Sequence, residues 1–165
     1  AIDIAGFPGS QGGPHENAIA AIGVAMKEAK TAAFRKYAEQ IVKNAKALAR
    51  SLQDFGFKLV SGGTDNHLIL VDLTNKNLSG KEAQKLLESA GIILNMNMVP
   101  FDQRSHLDPS GVRLGTAAVT SRGMKEKEMS KIASWIAAVV TDPAVAGSVK
   151  EEIKRFTKNF PAPGL

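Results

Sequence analysis

Apolar side chains recur at spacings of three and four through Phe34, Tyr37, Ile41, Ala45, Leu48 and Leu52, which is one face of a helix. Just before them Ile19, Ile22, Val24, Met26 and Ala29 form a crowded apolar stretch. The span from Asn17 to Asp54 therefore predicts helix, with a kink at Thr31. Pro14 suits the first helical turn, where its missing N–H costs nothing. Gly56, between Phe55 and Phe57, suits the left-handed residue just past the helix end. The opening, Ala1 to Gly13, is rich in glycine and proline and predicts a loop.

Beyond Gly56 the helical period disappears. Lys58 to Ser61 and His67 to Leu73 predict strands, separated by the turn Gly62-Gly63-Thr64-Asp65. The unbroken run Leu68-Ile69-Leu70-Val71 predicts a strand buried on both faces. Ser79 and Glu82 make a capping-box pattern, opening a helix to about Ala90 that Gly91 stops. Ile92 to Leu94 predicts a short strand, Asn95 to Ser110 a long loop, and Val112 to Gly115 another strand. A helix over Lys125 to Val140 carries Met129, Ile132, Trp135, Ile136 and Val139. Asp142-Pro143 breaks it, and a last helix is expected over Ala144 to Asn159. Helices followed by mixed strands and helices predict a two-layer α/β domain.

Composition narrows the function. There is no cysteine, which excludes disulfides and thiolate metal sites. His15, His67 and His106 are too scattered for a zinc site. No apolar run approaches a membrane span and no signal-peptide pattern opens the chain, so the cytoplasm is the expected compartment. The formal charge of +5 raises the question of nucleic acid. Lysines alternate with glutamates in Lys125-Glu126-Lys127-Glu128, and aromatics are only 5%, too few for a base-stacking platform. The charge reads as a solvated surface. The chain also begins without an initiator methionine, as a fragment or a processed product would.

Four segments are candidates for chemistry. Gln11-Gly12-Gly13-Pro14 joins a loop to a helix start, where free N–H groups and the helix dipole favour an anion; a glycine turn is the plainer reading. Arg113, a lone charge in a strand-like segment, is expected to be partly buried. It needs a partner, either an Asp or Glu of the same chain or a ligand carboxylate that its planar fork matches. The loop Asn95 to Ser110 is long enough to be functional and carries Asn97, Ser105 and His106; each could equally be a solvated side chain. Thr64-Asp65-Asn66-His67 reads as a turn with satisfied polar groups.

Together these segments resemble one family. Phe7-Pro8-Gly9-Ser10-Gln11-Gly12-Gly13-Pro14-His15, Lys43-Asn44-Ala45-Lys46-Ala47-Leu48, Val60-Ser61-Gly62-Gly63-Thr64-Asp65-Asn66-His67-Leu68 and Ser110-Gly111-Val112-Arg113-Leu114-Gly115-Thr116 are similar, in order and spacing, to serine hydroxymethyltransferases. The resemblance runs to about Ala138.

The resemblance implies the aspartate-aminotransferase-like fold of the enzymes that use pyridoxal phosphate. Residues 1–30 would end the cofactor-binding large domain, and residues 31–165 would form the two-layer α/β small domain. The whole enzyme, a cytoplasmic homodimer of one-carbon metabolism and glycine biosynthesis, would pass the hydroxymethyl group of serine to tetrahydrofolate, giving glycine and methylenetetrahydrofolate. Arg113 would bind the substrate carboxylate. Gly13 would give its N–H to the cofactor phosphate across the subunit interface. Asn97, Ser105, His106 and Leu107 would bind the folate. Family members often have Ser-Pro-Phe where this chain has Ser105-His106-Leu107. The family's cofactor lysine, in a Thr-rich run ending Thr-His-Lys, has no counterpart here, so the fragment alone is expected to be inactive, with no catalytic residue of its own. Two other readings stand beside this one: another enzyme of the same cofactor fold, such as an aminotransferase, against which the Gly-Gly-Thr-Asp-Asn-His block argues, and a stand-alone basic binding module.

Overall fold

The computed structural model describes residues 1–163, so the last two residues of the second expected domain lie outside it. The chain forms two compact units, Ala1–Lys36 and Tyr37–Leu165.

In the first unit the glycine-rich opening is not the open loop expected. A helical turn, α1 (Ile2–Ile4), leads into turns over Ala5–Ser10, interrupted only at Phe7, which is extended. Local bonds hold them: Gln11 N donates to Gly6 O at 2.8 Å and Ser10 Oγ to Ala5 O at 2.8 Å. Helix α2 (Glu16–Ala29) follows. None of its residues is buried, so the apolar side chains Ile19, Ile22, Val24 and Met26 form an exposed surface. Thr31 accounts for the expected kink. Its Oγ1 donates to Glu28 O at 2.7 Å and accepts from Phe34 N at 3.1 Å, ending one helix and capping the next, α3 (Ala32–Asp54).

In the second unit α3 stops as its sequence predicts. Gly56 sits at φ +74°, and Phe57 N reaches back to Leu52 O at 3.0 Å. The strands are β1 (Lys58–Leu59), β2 (Leu68–Asp72), β3 (Asn95–Asn97) and β4 (Gly111–Gly115), in one antiparallel sheet of order β1-β2-β4-β3. β1 is shorter than expected because Ser61, at φ +57°, and Gly62, at φ +70°, curl the chain away from extended backbone. Helix α4 (Gly80–Ser89) opens with the predicted capping box: Glu82 N donates to Ser79 Oγ at 3.2 Å and Ser79 N to Glu82 Oε2 at 2.9 Å. The strand expected at Ile92–Leu94 forms three residues later. The return from α4 at Gly91 uses Ile92 and Leu94 to re-enter the core while Ile93 stays exposed, and Gln84 Oε1 accepts from Met96 N at 2.7 Å. After β4 come a short α5 (Ala117–Ser121), α6 (Glu126–Thr141) and α7 (Ala146–Thr157).

The helices cover one face of the sheet. Leu48, Leu52, Ala83, Leu87, Met129, Ile136 and Val139 pack with Leu59, Ile69, Val71, Val112 and Leu114 in one cluster. β2 is not buried on both faces as expected: Ile69 and Val71 are buried, while Leu68 and Leu70 are only half-buried. Helices on one side of an antiparallel sheet leave the other side for a ligand or another surface. Among the described residues no helix is long and apolar enough to cross a membrane.

Candidate functional site

The uncovered face of the sheet is set by register. Arg113 pairs with Leu70 on one side and Asn95 on the other, and Gly111 pairs with Asp72 and Asn97. Residues directly opposite one another in a sheet point to the same face. Val112 and Leu114 enter the core, so Arg113 points away from it together with Asn95 and Asn97. Arg113 is exposed, which overturns the expectation of partial burial. Among the described residues its guanidinium meets no hydrogen-bond or ion-pair partner. Asp72 shares this face one diagonal step away, but its carboxylate is taken. It accepts from Thr74 N at 3.0 Å and Thr74 Oγ1 at 2.7 Å and pairs with Lys58 at 2.7 Å. Burial pushes that carboxyl up, but Lys58 and Thr74 outweigh burial and hold it below the usual carboxylate range.

Two tight fits fix the strands beneath Arg113. A Cβ on Gly111 would stand 2.6 Å from Val99 Cγ1 and 2.7 Å from Val71 O, so only glycine lets the backbones approach. At the far end of β4, Thr116 Oγ1 donates to Ile41 O at 2.9 Å. Asn44, fully buried, donates to Thr120 Oγ1 at 2.8 Å and Met124 O at 2.9 Å and accepts from Gln40 at 2.9 Å. β4 is thus bolted to α3 through polar groups that are all paired.

Asn97 ends β3 and is half-buried; its Nδ2 donates to Met98 O at 2.7 Å. Beyond it the chain turns at Val99-Pro100-Phe101-Asp102, closed by Asp102 N to Val99 O at 3.1 Å. Phe101, 95% exposed, stands at φ +58°, a left-handed backbone that a bulky side chain rarely adopts. Ser105, His106 and Leu107 are exposed on the loop that follows. Their segment is closed by Asp108 N to Ser105 O at 3.0 Å and by the ion pair of Arg104 with Asp108. The register therefore places Asn97 and Arg113 on one face, and the loop from Met98 to Ser110 that joins their strands carries residues 105–107.

Sequence reasoning missed Asp102 and Asn95. Asp102 carries a local signal, since an Asp after a proline turn that accepts from the N–H two residues on is a common turn device. Asn95 carries none, because asparagine is depleted in strands and only the pairing with Arg113 reveals it.

Gly13 lies in the first unit. Among the described residues its N–H meets no acceptor, and beyond its two chain neighbours no atom stands within 4 Å of where its Cβ would be. The turn Thr64 to His67 is closed on itself as expected: Thr64 Oγ1 accepts from Asn66 N at 3.2 Å and Asn66 Oδ1 from Leu68 N at 2.7 Å. Among the described residues no cluster of three or more His, Asp or Glu is placed to hold a metal.

A sequence model of the serine hydroxymethyltransferase family matches residues 1–136. The chain is 54% identical to the serine hydroxymethyltransferase of Desulfotalea psychrophila and 56% identical to that of Acidothermus cellulolyticus. Both alignments cover all of this chain and 40% and 41% of those relatives. A serine hydroxymethyltransferase from Sorangium cellulosum is 52% identical over the same extent. The chain thus spans about two fifths of the length of the curated relatives it matches.

Proposed function

The chain belongs to the serine hydroxymethyltransferase family, and on that premise we propose that it is the substrate-carboxylate and folate portion of an enzyme that exchanges a hydroxymethyl group between serine and tetrahydrofolate. The observation that carries the reading is Arg113: an exposed guanidinium without a partner among the described residues, on the same sheet face as Asn97.

Each residue has a role that its surroundings permit. Arg113 offers two parallel N–H donors to the carboxylate of serine or glycine. Holding that group fixes the rotation of the amino acid about its α-carbon, and so which of its bonds is aligned for cleavage. That is catalysis by orientation. Asn97 offers an amide oxygen and a second N–H to the edge of a pterin. Ser105, His106 and Leu107 offer exposed polar and apolar contacts to the rest of the folate.

Pyridoxal phosphate is the cofactor this reading requires, and its electron-accepting ring stabilises charge at the substrate's α-carbon when bound. The surroundings of Gly13 fit its phosphate: an unused N–H, open space, and the start of α2, whose dipole favours an anion. The acidic Glu16 in the first turn works against that attraction. The fold is the small domain of the aspartate-aminotransferase-like enzymes, after a remnant of the large one. Assembly as a cytoplasmic homodimer accounts for the exposed apolar surface of α2, which a larger assembly would cover. The family's Thr-His-Lys run does not occur in these 165 residues, so the isolated chain turns over no serine.

The test is serine titration of the full-length enzyme. Arg113→Ala should keep its bound cofactor and lose serine affinity by about a hundredfold or more, the scale of a lost charge-assisted bidentate contact. Arg113→Lys should recover little, since an ammonium cannot reproduce the fork. Normal serine binding in either variant would remove the centre of this reading.

A further inference from the structure

One carboxylate closes the loop between Asn97 and Arg113. Asp102 Oδ2 accepts from Val99 N at 3.1 Å and Ser110 N at 2.9 Å; its Oδ1 accepts from Arg104 N at 2.9 Å and Ser110 Oγ at 2.6 Å. Four donors converge on two oxygens. Two of them come from the chain just after β3 and inside the loop, and two from Ser110, the residue before β4. Ser110 O in turn accepts from Leu73 N at 2.9 Å, and Pro109 O from Gly80 N at 2.7 Å, so the far end of the loop is fastened to the sheet and to the start of α4.

We propose that Asp102 is the positioning residue of the folate loop, holding residues 103–108 and Asn97 in fixed relation to Arg113. The proposal rests on the reading of Asn97 and residues 105–107 as the folate-binding group. Asp102 itself does not touch the folate, because each of its oxygens already accepts two hydrogen bonds, about all that a carboxylate takes. It acts through what it fixes. Val99 N is two residues from Asn97, and Ser110 is three residues before Arg113. Arg104, whose N–H Asp102 holds, reaches across to Asp108 through its guanidinium and frames Ser105, His106 and Leu107.

Without the carboxylate the turn at Val99 and the Arg104–Asp108 frame keep their own bonds, but neither is tied to Ser110 at the start of β4. Ordering a free residue costs about 1–2 kcal/mol, so a ligand that must order several of them at once binds far more weakly than one meeting a preformed loop. Substitution by asparagine is well matched to the question. It preserves shape but replaces one oxygen with an NH₂ group; the Ser110 hydroxyl can turn to accept from it, whereas a backbone N–H cannot, so at least one bond is lost together with the charge.

The experiment compares Asp102→Asn, Asp102→Glu, Ser110→Ala and Asn97→Ala in the full-length enzyme, by equilibrium dialysis of tetrahydrofolate, serine titration and thermal unfolding. Asp102→Asn should weaken folate binding about tenfold or more, the equivalent of one lost charge-assisted bond, with serine affinity changed less than about twofold. Asp102→Glu keeps the charge but shifts it by a methylene and should recover only part of the loss. Ser110→Ala removes a single donor and should cost about threefold; it serves if Asp102→Asn does not accumulate as folded protein, and unchanged folate affinity in it would then overturn the proposal. If Asn97→Ala is impaired but Asp102→Asn binds folate normally, the positioning role is wrong and the folate reading stands. If Asn97→Ala binds folate normally, both fall. A parallel loss of serine and folate affinity would mark a general structural defect and overturn the proposal as well.

Discussion

Arg113 and Asn97 stand on adjacent antiparallel strands, one diagonal step apart on the same face of the sheet, because Asn97 pairs with Gly111 two residues before the arginine. Diagonal neighbours of this kind are roughly 7–8 Å apart at Cα, near enough for two long ligand groups to be held at once. Their duties should nonetheless separate. Asn97→Ala in the full-length enzyme should raise the folate KM several-fold and leave the serine dissociation constant alone, whereas Arg113→Ala does the opposite. Steady-state kinetics with each substrate varied in turn reads both. An unchanged folate KM in Asn97→Ala would count against the assignment.

Gly13→Val tests the phosphate contact. The structure has room for the side chain, since among the described residues nothing beyond its chain neighbours lies within 4 Å of a Cβ there, so the folded chain should tolerate it. A phosphate approaching the N–H should not. Cofactor retention through dialysis should fall while the unfolding temperature of the apoprotein stays put. Unaltered retention would leave the glycine a turn residue only.

Asn44 joins α3 to the segment after β4 through two buried hydrogen bonds, to Thr120 Oγ1 and Met124 O, and accepts a third from Gln40 within its own helix. Asn44→Ala strands Met124 O and removes one of the two partners of Thr120 Oγ1, at a cost of about 2–3 kcal/mol. Urea unfolding measures this, and a loss under about 1 kcal/mol would show that the network relaxes around the gap. Asn44→Asp should be no rescue, because Met124 O needs a donor.

Phe101 is 95% exposed, so its ring buries almost nothing, and it bears left-handed backbone at φ +58°. Phe101→Asn or Phe101→Gly should stabilise by about 1 kcal/mol, seen as a higher urea midpoint. A destabilised variant would mean the ring makes a contact worth more than the strain.

Asp102 also predicts a pH signature. Partial burial pushes its carboxyl up, but the Ser110 hydroxyl and the N–H groups of Ser110, Arg104 and Val99 outweigh this and hold it well below the usual carboxylate range. A depressed folded value means stability that is full above the ordinary Asp pKa of about 3.9 and is lost only as pH falls below it, through the folded value. The stability gap between the parent and Asp102→Asn should be flat above about pH 5 and narrow in acid. A gap that widens in acid would reverse the sign of the argument.

Much of the scaffold was legible along the chain. Thr31, Gly56, Gly91 and the Ser79–Glu82 box each act through neighbours within five residues, so local pattern suffices to find them. β3 was misplaced because Asn95 and Asn97 are poor strand formers, made extended by pairing with β4 and by the Gln84 side chain. Arg113 was found as a charge among apolar neighbours, but its exposure depends on which face the helices cover, a tertiary fact. Asp102 escaped notice because half of its partners lie eight residues away at Ser110.

The frame that Arg104 and Asp108 make around residues 105–107 uses backbone atoms and their own side chains, and the side chains of His106 and Leu107 take no part in it. Shape and content are therefore uncoupled at those two positions. A lineage could exchange what the loop presents to a ligand without refolding the loop. On the proposed folate reading, His106 and Leu107 are the places to vary when altered discrimination among pterin analogues is wanted at little risk to folding.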